Sequence, residues 1–203
     1  MGMYSDMEQT RTNEVLVSVP DSIKEENRKL LERFPFLTPR NTFSGKKITD
    51  CCGPDGQPGY WPGSPDERPV YDYEYTELDD LPDGWREAFG EKMCEEIQAE
   101  LDKNDPAGEI YIIQLKEKWG RMEMYMSSYT SNLPDIIEKY GDKSENTCIG
   151  CGKKATLLST GWVSPWCKEC AQKYGGSFVP IDRSRKNTPL KDSDVVYYER
   201  AAE

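Results

Sequence analysis

Apolar residues recur every four positions at Trp85, Phe89, Met93, Ile97 and Leu101, joined by Ala88 and Cys94. Glu87, Glu91, Glu95 and Glu96 lie between them. This spacing predicts an amphipathic helix over about 84–101, capped by Asp83, with its apolar stripe inward and its carboxylates outward. Just upstream, Tyr71, Tyr73 and Tyr75 alternate with Asp72 and Glu74, the period-two pattern of a half-buried strand over 70–76. Downstream, Ile110-Tyr111-Ile112-Ile113 is strongly β-prone and opens a strand over 109–118. Trp119-Gly120 marks a turn, and Met122, Met124 and Met126 share one face of a returning strand over 121–127. Two alternating runs around a Gly-containing turn predict a β-hairpin.

The rest of the pattern is weaker. Residues 1–20 read as a flexible N-terminal arm with a short strand at 14–19. A helix from Asp21 or Ser22 to about Phe34 gathers Ile23, Leu30, Leu31 and Phe34 on one side, and Pro35 and Pro39 end it. Residues 41–70 are crowded with Gly and Pro and form a long irregular loop, in which Cys51-Cys52 is read as incidental. Pro134 suits the first turn of a short helix at 135–140, which Gly141 is expected to stop. The predicted class is α+β. Over 21–145, a small antiparallel sheet, strand plus hairpin, packs on the amphipathic helix.

Cys148-Ile149-Gly150-Cys151 and Cys167-Lys168-Glu169-Cys170 are two Cys-x-x-Cys pairs separated by fifteen residues. That spacing suits a four-thiolate zinc site, each pair curling as a knuckle. Between the knuckles, 155–159 and 162–166 can pair through Thr160-Gly161, and a short helix at 171–174 stops at Gly175-Gly176. A zinc-ribbon or treble-clef-like module over 146–176 is expected, followed by a loosely held tail at 177–203. There is no histidine in the 203 residues. This removes the commonest general base and any Ser–His or Cys–His nucleophile pair. A four-thiolate site is coordinatively closed, so its Zn2+ is structural and the protein is read as non-enzymatic.

Charge sharpens the picture. The net charge is −11, and residues 64–108 carry fifteen acids against four bases, which accounts for all of it. Such a segment repels phosphate backbones and attracts basic surfaces, including those built to hold nucleic acid; it is also an ordinary way to keep a face solvated. The cysteine module is different. Lys153, Lys154 and Lys168, with Trp162 and Trp166, supply the cations and rings of a phosphate- and base-contacting surface. No run approaches a membrane span and the N-terminus lacks an apolar signal core, so a cytoplasmic location is expected, where thiols stay reduced.

Several motifs carry a resemblance. They are Phe34-Pro35-Phe36-Leu37 with Pro39-Arg40-Asn41, Tyr73-x-Tyr75-Thr76-Glu77-Leu78-Asp79, Pro82-x-Gly84-Trp85-Arg86-x-Ala88-Phe89-Gly90, Met93-Cys94-Glu95-Glu96-Ile97, Gln114-x-Lys116-Glu117-Lys118-x-Gly120, and the Cys-x-x-Cys-Gly…Gly-Trp-x-x-Pro-x-Cys-x-x-Cys ending. Over about 28–172 the chain resembles a group of small phage and prophage proteins with a C-terminal four-cysteine zinc ribbon; the stretch at 53–69 is longer here. The resemblance implies a phage product acting inside a bacterial host cell. Joined to the acidic segment, it suggests an inhibitor of a host nucleic-acid-handling defence protein, such as a CRISPR nuclease. The inhibitor would be anti-CRISPR-like or DNA-mimic-like and act through Asp72, Glu74, Glu87, Glu91, Glu95 and Glu96. The alternative is a nucleic-acid-binding or transcription-associated zinc ribbon working through Lys153, Lys154, Trp162, Trp166 and Lys168.

Overall fold

The structure, a computed structural model, describes residues 21–40, 76–181 and 192–200. The N-terminal arm, the loop at 41–70 with Cys51-Cys52, and the strand expected around Asp72 and Glu74 lie outside the described residues. The chain divides into two compact units. The described part of the first holds α1 (Asp21–Arg33), on which Asn27 and Leu30 are buried. The second takes Phe34–Leu37 and everything from Glu77 onward.

The amphipathic helix forms, and its interior is not regular. α2 (Asp83–Trp85) runs through a π-helical turn (Arg86–Gly90) into α3 (Glu91–Asn104). The stripe explains the turn. At 100° per residue, five apolar residues spaced by four would drift by about 160° around a regular helix. One wide turn takes up an extra residue and cuts that drift to about 60°. Trp85, Phe89, Met93, Cys94, Ile97 and Leu101 are accordingly all buried. Asp83 does not cap the helix. It is the first helical residue and is exposed, and Pro82 holds the N-cap position without a side-chain bond.

β1 (Ile112–Lys118) and β2 (Arg121–Met126) form the expected antiparallel hairpin. Trp119 and Gly120 both have positive φ, 54° and 79°, as a two-residue type I′ loop requires. A bulge between Ile112 and Gln114 shifts the pleat, so Ile112 and Leu115 both face inward beside Met122, Met124 and Met126. The methionines are packing residues, not an adaptable surface.

α4 (Leu133–Ser144) packs along β2, and its Ser144 Oγ accepts the Met122 N–H at 2.8 Å. Gly141 does not stop this helix, which continues three residues past it. The absent side chain makes room for Arg121: a Cβ there would sit 2.5 Å from a guanidinium nitrogen. Arg121 bonds Asp142 at 2.7 Å and Glu138 at 2.9 Å.

The C-terminal part holds more structure than the pattern suggested. β3 (Leu157–Ser159) pairs with β4 (Pro165–Trp166) as expected. α5 (Lys168–Tyr174) begins three residues early. The expectation of a loosely held tail is corrected: β5 (Gly176–Pro180) pairs with β3, and β6 (Val196–Tyr198) pairs with β5. The result is a four-stranded antiparallel sheet in the order β4-β3-β5-β6. Leu157, Ala171 and Phe178 form its small core, with Trp166 and Tyr198 against them. The chain is thus α+β, with a two-stranded and a four-stranded sheet among the described residues.

Candidate metal centre

The first Cys-x-x-Cys pair lies on a tight backbone turn. Cys148 N–H donates to Lys153 O at 2.7 Å, and Gly152 N–H returns to Cys148 O at 2.9 Å. Gly152 has φ 70°, the left-handed conformation that closes the knuckle. The second pair belongs to a helix start: Cys167 is the N-cap of α5 and its Sγ accepts the Cys170 N–H at 3.4 Å. The hairpin β3–β4 lies between the pairs and brings them together.

All four sulfurs lie within 4.8 Å of one another, and Cys151 Sγ is 3.6 Å from Cys167 Sγ. Four thiolates at about 2.3 Å from a tetrahedral Zn2+ have sulfur–sulfur edges of about 3.8 Å, so the cluster matches a metal site in ligand type, number and separation. The cysteines are free thiols, with Cys148 and Cys167 buried and Cys151 and Cys170 half-buried. Their electrostatics point the same way. Burial pushes the Cys148 and Cys170 thiols up, although the N–H groups of Cys167, Gly150 and Cys151 point at the Cys148 sulfur. The Lys153 backbone N–H holds Cys151 down. Four thiolates this close are stable together only around a cation.

The knuckle is seated on the start of the long helix, a relationship the residue pattern did not announce. Gly84 N–H donates to Ile149 O at 3.0 Å, and Trp85 Nε1 donates to Thr147 O at 2.8 Å. A Cβ on Gly84 would stand 2.6 Å from Cys151 N and Ile149 O, and closer still to Cys148 O. A Cβ on Gly152 would stand 2.6 Å from Gly84 O. Backbone meets backbone, so both partners must be glycine. The signal was in the sequence: a glycine in the first helical turn, where it weakens the helix, needs a packing reason.

The other expected site residues divide. Glu87, Glu91 and Glu95 lie one turn apart and are exposed. Glu96 is half-buried. Lys139 Nζ on α4 bonds it at 2.5 Å and, foremost among its surroundings, holds its carboxyl below the usual range. Asp72 and Glu74 are outside the described residues. The basic and aromatic set is not assembled as a free surface. Lys153 is paired with Glu169 at 2.7 Å, and Trp166 is half-buried, stacked on Tyr174 at 4.7 Å and edge-on to Phe178. Lys154, Lys168 and Trp162 are exposed. One functional-looking carboxylate was missed by the pattern. Glu100 is buried on α3 and accepts from Thr130 at 2.6 Å, Asn104 at 2.9 Å and Asn132 at 3.2 Å; led by Thr130, these bonds hold it below the usual range. It fastens the loop after β2 to the helix.

No helix among the described residues is long and apolar enough to cross a membrane. Comparison with protein-family models, curated proteins and solved structures finds no match for this chain.

Proposed function

We propose that Cys148, Cys151, Cys167 and Cys170 hold one structural Zn2+ in a treble-clef-like module, and that the protein is a non-enzymatic inhibitor acting through its acidic helix. Knuckle, hairpin and helix follow in treble-clef order, with the second cysteine pair at the helix start rather than on a second knuckle. The role of the metal is to fix the knuckle, and through Gly84 the knuckle fixes the helix.

One observation carries the functional reading. Glu87, Glu91 and Glu95 form an exposed row on a helix whose opposite face is buried and whose first turn is held by the knuckle. A rigid row of carboxylates is a surface for a basic, nucleic-acid-binding cleft, steered by charge and salt-sensitive. The target is a host defence protein that handles nucleic acid, and the chain is anti-CRISPR-like or DNA-mimic-like in this sense, with Asp72 and Glu74 in the same acidic segment. The phage resemblance supports the host-cell setting. Direct nucleic-acid binding by the module is the weaker reading, because Glu169 offsets the charge of Lys153 at the surface and Trp166 is packed between Tyr174 and Phe178.

The test is capture of partners from nuclease-treated host lysate, followed by assay of the captured protein's nucleic-acid binding. Inhibition by the parent chain, lost in Glu87→Lys/Glu91→Lys/Glu95→Lys with unfolding unchanged, is expected. Partners that vanish on nuclease treatment, or a reversal variant that still inhibits, would reject it.

A further inference from the structure

The turn of the β1–β2 hairpin and the loop between β3 and β4 each present an exposed indole, Trp119 at 71% and Trp162 at 74% exposure. One carboxylate joins the two. Glu117 accepts the Gly120 N–H on Oε1 and the Trp162 Nε1–H on Oε2, each at 2.7 Å. Gly120 also lies against the second loop, its Cβ position 3.4 Å from Val163 O. That loop is pinned in turn: Ser159 Oγ donates to Trp162 O and accepts the Ser164 N–H at 2.9 Å. Two rings therefore emerge from one braced junction.

Neither ring is explained by the fold. Trp119 has φ 54°, a conformation that suits Asn, Asp or Gly and is unfavourable for a bulky side chain. A residue both strained and solvent-exposed gives the folded state little in return, and outliers of this kind point to a role outside the fold. Trp162 has its only polar hydrogen taken by Glu117, so the surface it offers is the apolar ring. Rigid indoles lose little entropy on docking and are common interface anchors.

The surrounding charge selects the occupant. Arg121, which follows the turn, is already engaged by Glu138, Asp142 and Glu145, and the first two of these carboxylates are exposed. Three carboxylates thus share the single guanidinium of Arg121, and Glu117 adds a fourth between the two loops. Indole faces beside an excess of carboxylate suit guanidinium and ammonium groups, by cation–π and ionic contact together. We infer that Trp119 and Trp162 form a docking point for an arginine- or lysine-bearing protein segment. This shares with the proposed function a basic partner but uses different residues, so the two stand or fall separately.

The probe is a twelve-residue peptide of alternating Arg and Gly, titrated against the full zinc-loaded chain by calorimetry and tryptophan fluorescence at physiological salt. Oligo(dT) and a Glu-Gly peptide serve as competitors. Binding of the Arg-Gly peptide with an indole spectral change is expected. Trp119→Asn should weaken it tenfold or more while leaving Tm equal or higher, since Asn suits the left-handed turn. Trp162→Ala should weaken it similarly, and the Glu87/Glu91/Glu95 reversal should keep the spectral change. The proposal is overturned if the parent does not bind the peptide, or if Trp119→Asn and Trp162→Ala bind like the parent. It is equally overturned if only the helix reversal abolishes binding, if oligo(dT) takes the indoles in preference to the peptide, or if the rings prove covered by a second copy of the chain.

Discussion

Gly84→Ala is the sharpest test of how the cysteine module is attached. The added methyl would meet Cys148 O, Ile149 O and Cys151 N, the latter two at 2.6 Å. These are backbone atoms of the knuckle, so no rotamer change relieves the contact. Restoring van der Waals distance to the nearest of them, Cys148 O, requires the knuckle to move by about 1 Å, and overpacking of this kind costs about 1–3 kcal/mol. The movement also breaks the 3.0 Å bond from Gly84 N–H to Ile149 O, a further loss of about 1 kcal/mol. Alanine returns about 1 kcal/mol through its better helix propensity. The expected net loss is about 1–3 kcal/mol, with weaker metal retention because the displaced backbone carries Cys148 and Cys151. Guanidinium unfolding followed by tryptophan fluorescence measures the first, and competition for Co2+ followed by its thiolate absorption measures the second. Gly161→Ala is the control, since nothing lies within 4 Å of its Cβ position. A Gly84→Ala protein within about 0.5 kcal/mol of the parent, with unchanged metal retention, would refute the seating of the knuckle on the helix.

Gly141→Ala makes an instructive contrast: its Cβ would be 2.5 Å from the Arg121 guanidinium, the movable end of a flexible side chain. Losing partly exposed ion pairs costs under about 1 kcal/mol and helix propensity returns about as much, so thermal unfolding should put the variant within about 0.5 kcal/mol of the parent. Elemental analysis should find one zinc per chain, and Cys148→Ser or Cys170→Ser should lose it together with the Co2+ thiolate bands. Chelation should lower Tm for the same reason, since metal binding is coupled to folding in such modules. Glu77 is 9% exposed, and burial first, then Asp80 and Asp79, raises its pKa to about 7. A carboxyl protonated more readily when folded adds stability below about pH 4.5, and that contribution is lost as pH rises through 7, at most about 3 kcal/mol. Glu77→Gln should flatten that slope between pH 5 and 8 in denaturant titrations; parallel slopes for the two proteins would remove the assignment.

What could be read from the chain was what repeats locally. The stripe from Trp85 to Leu101, the alternation at Met122, Met124 and Met126, and the two cysteine pairs each state their own geometry within a few residues. Relations between distant segments stayed hidden. Gly84 and Gly152 are sixty-eight residues apart in sequence and face each other through backbone. Gly141 obeyed no local stop rule because Arg121, twenty residues earlier, lies across it. Phe178-Val179 and Val196-Tyr197-Tyr198 are β-prone, but they are short, lie among charged residues and owe their pairing to β3, which no pattern in their own neighbourhood reveals. The basic and aromatic residues of the module were legible as types but not as a surface, because Glu169 and Tyr174 each engage one of them.

The π turn at Arg86–Gly90 has a consequence for how this helix can vary among descendants of the same gene. Deleting one residue there would restore a regular helix and leave everything after it facing as it does now, because the wide turn already absorbs that residue. Met93, Ile97 and Leu101 would stay in the core, and Glu91 and Glu95 would stay on the exposed side. Inserting a second extra residue would instead turn Met93, Ile97 and Leu101 by about 100° out of the core. Within this segment the loss of one residue is tolerated and a further insertion is not, so an extra residue between Trp85 and Met93 would mark a protein whose charged face points somewhere else.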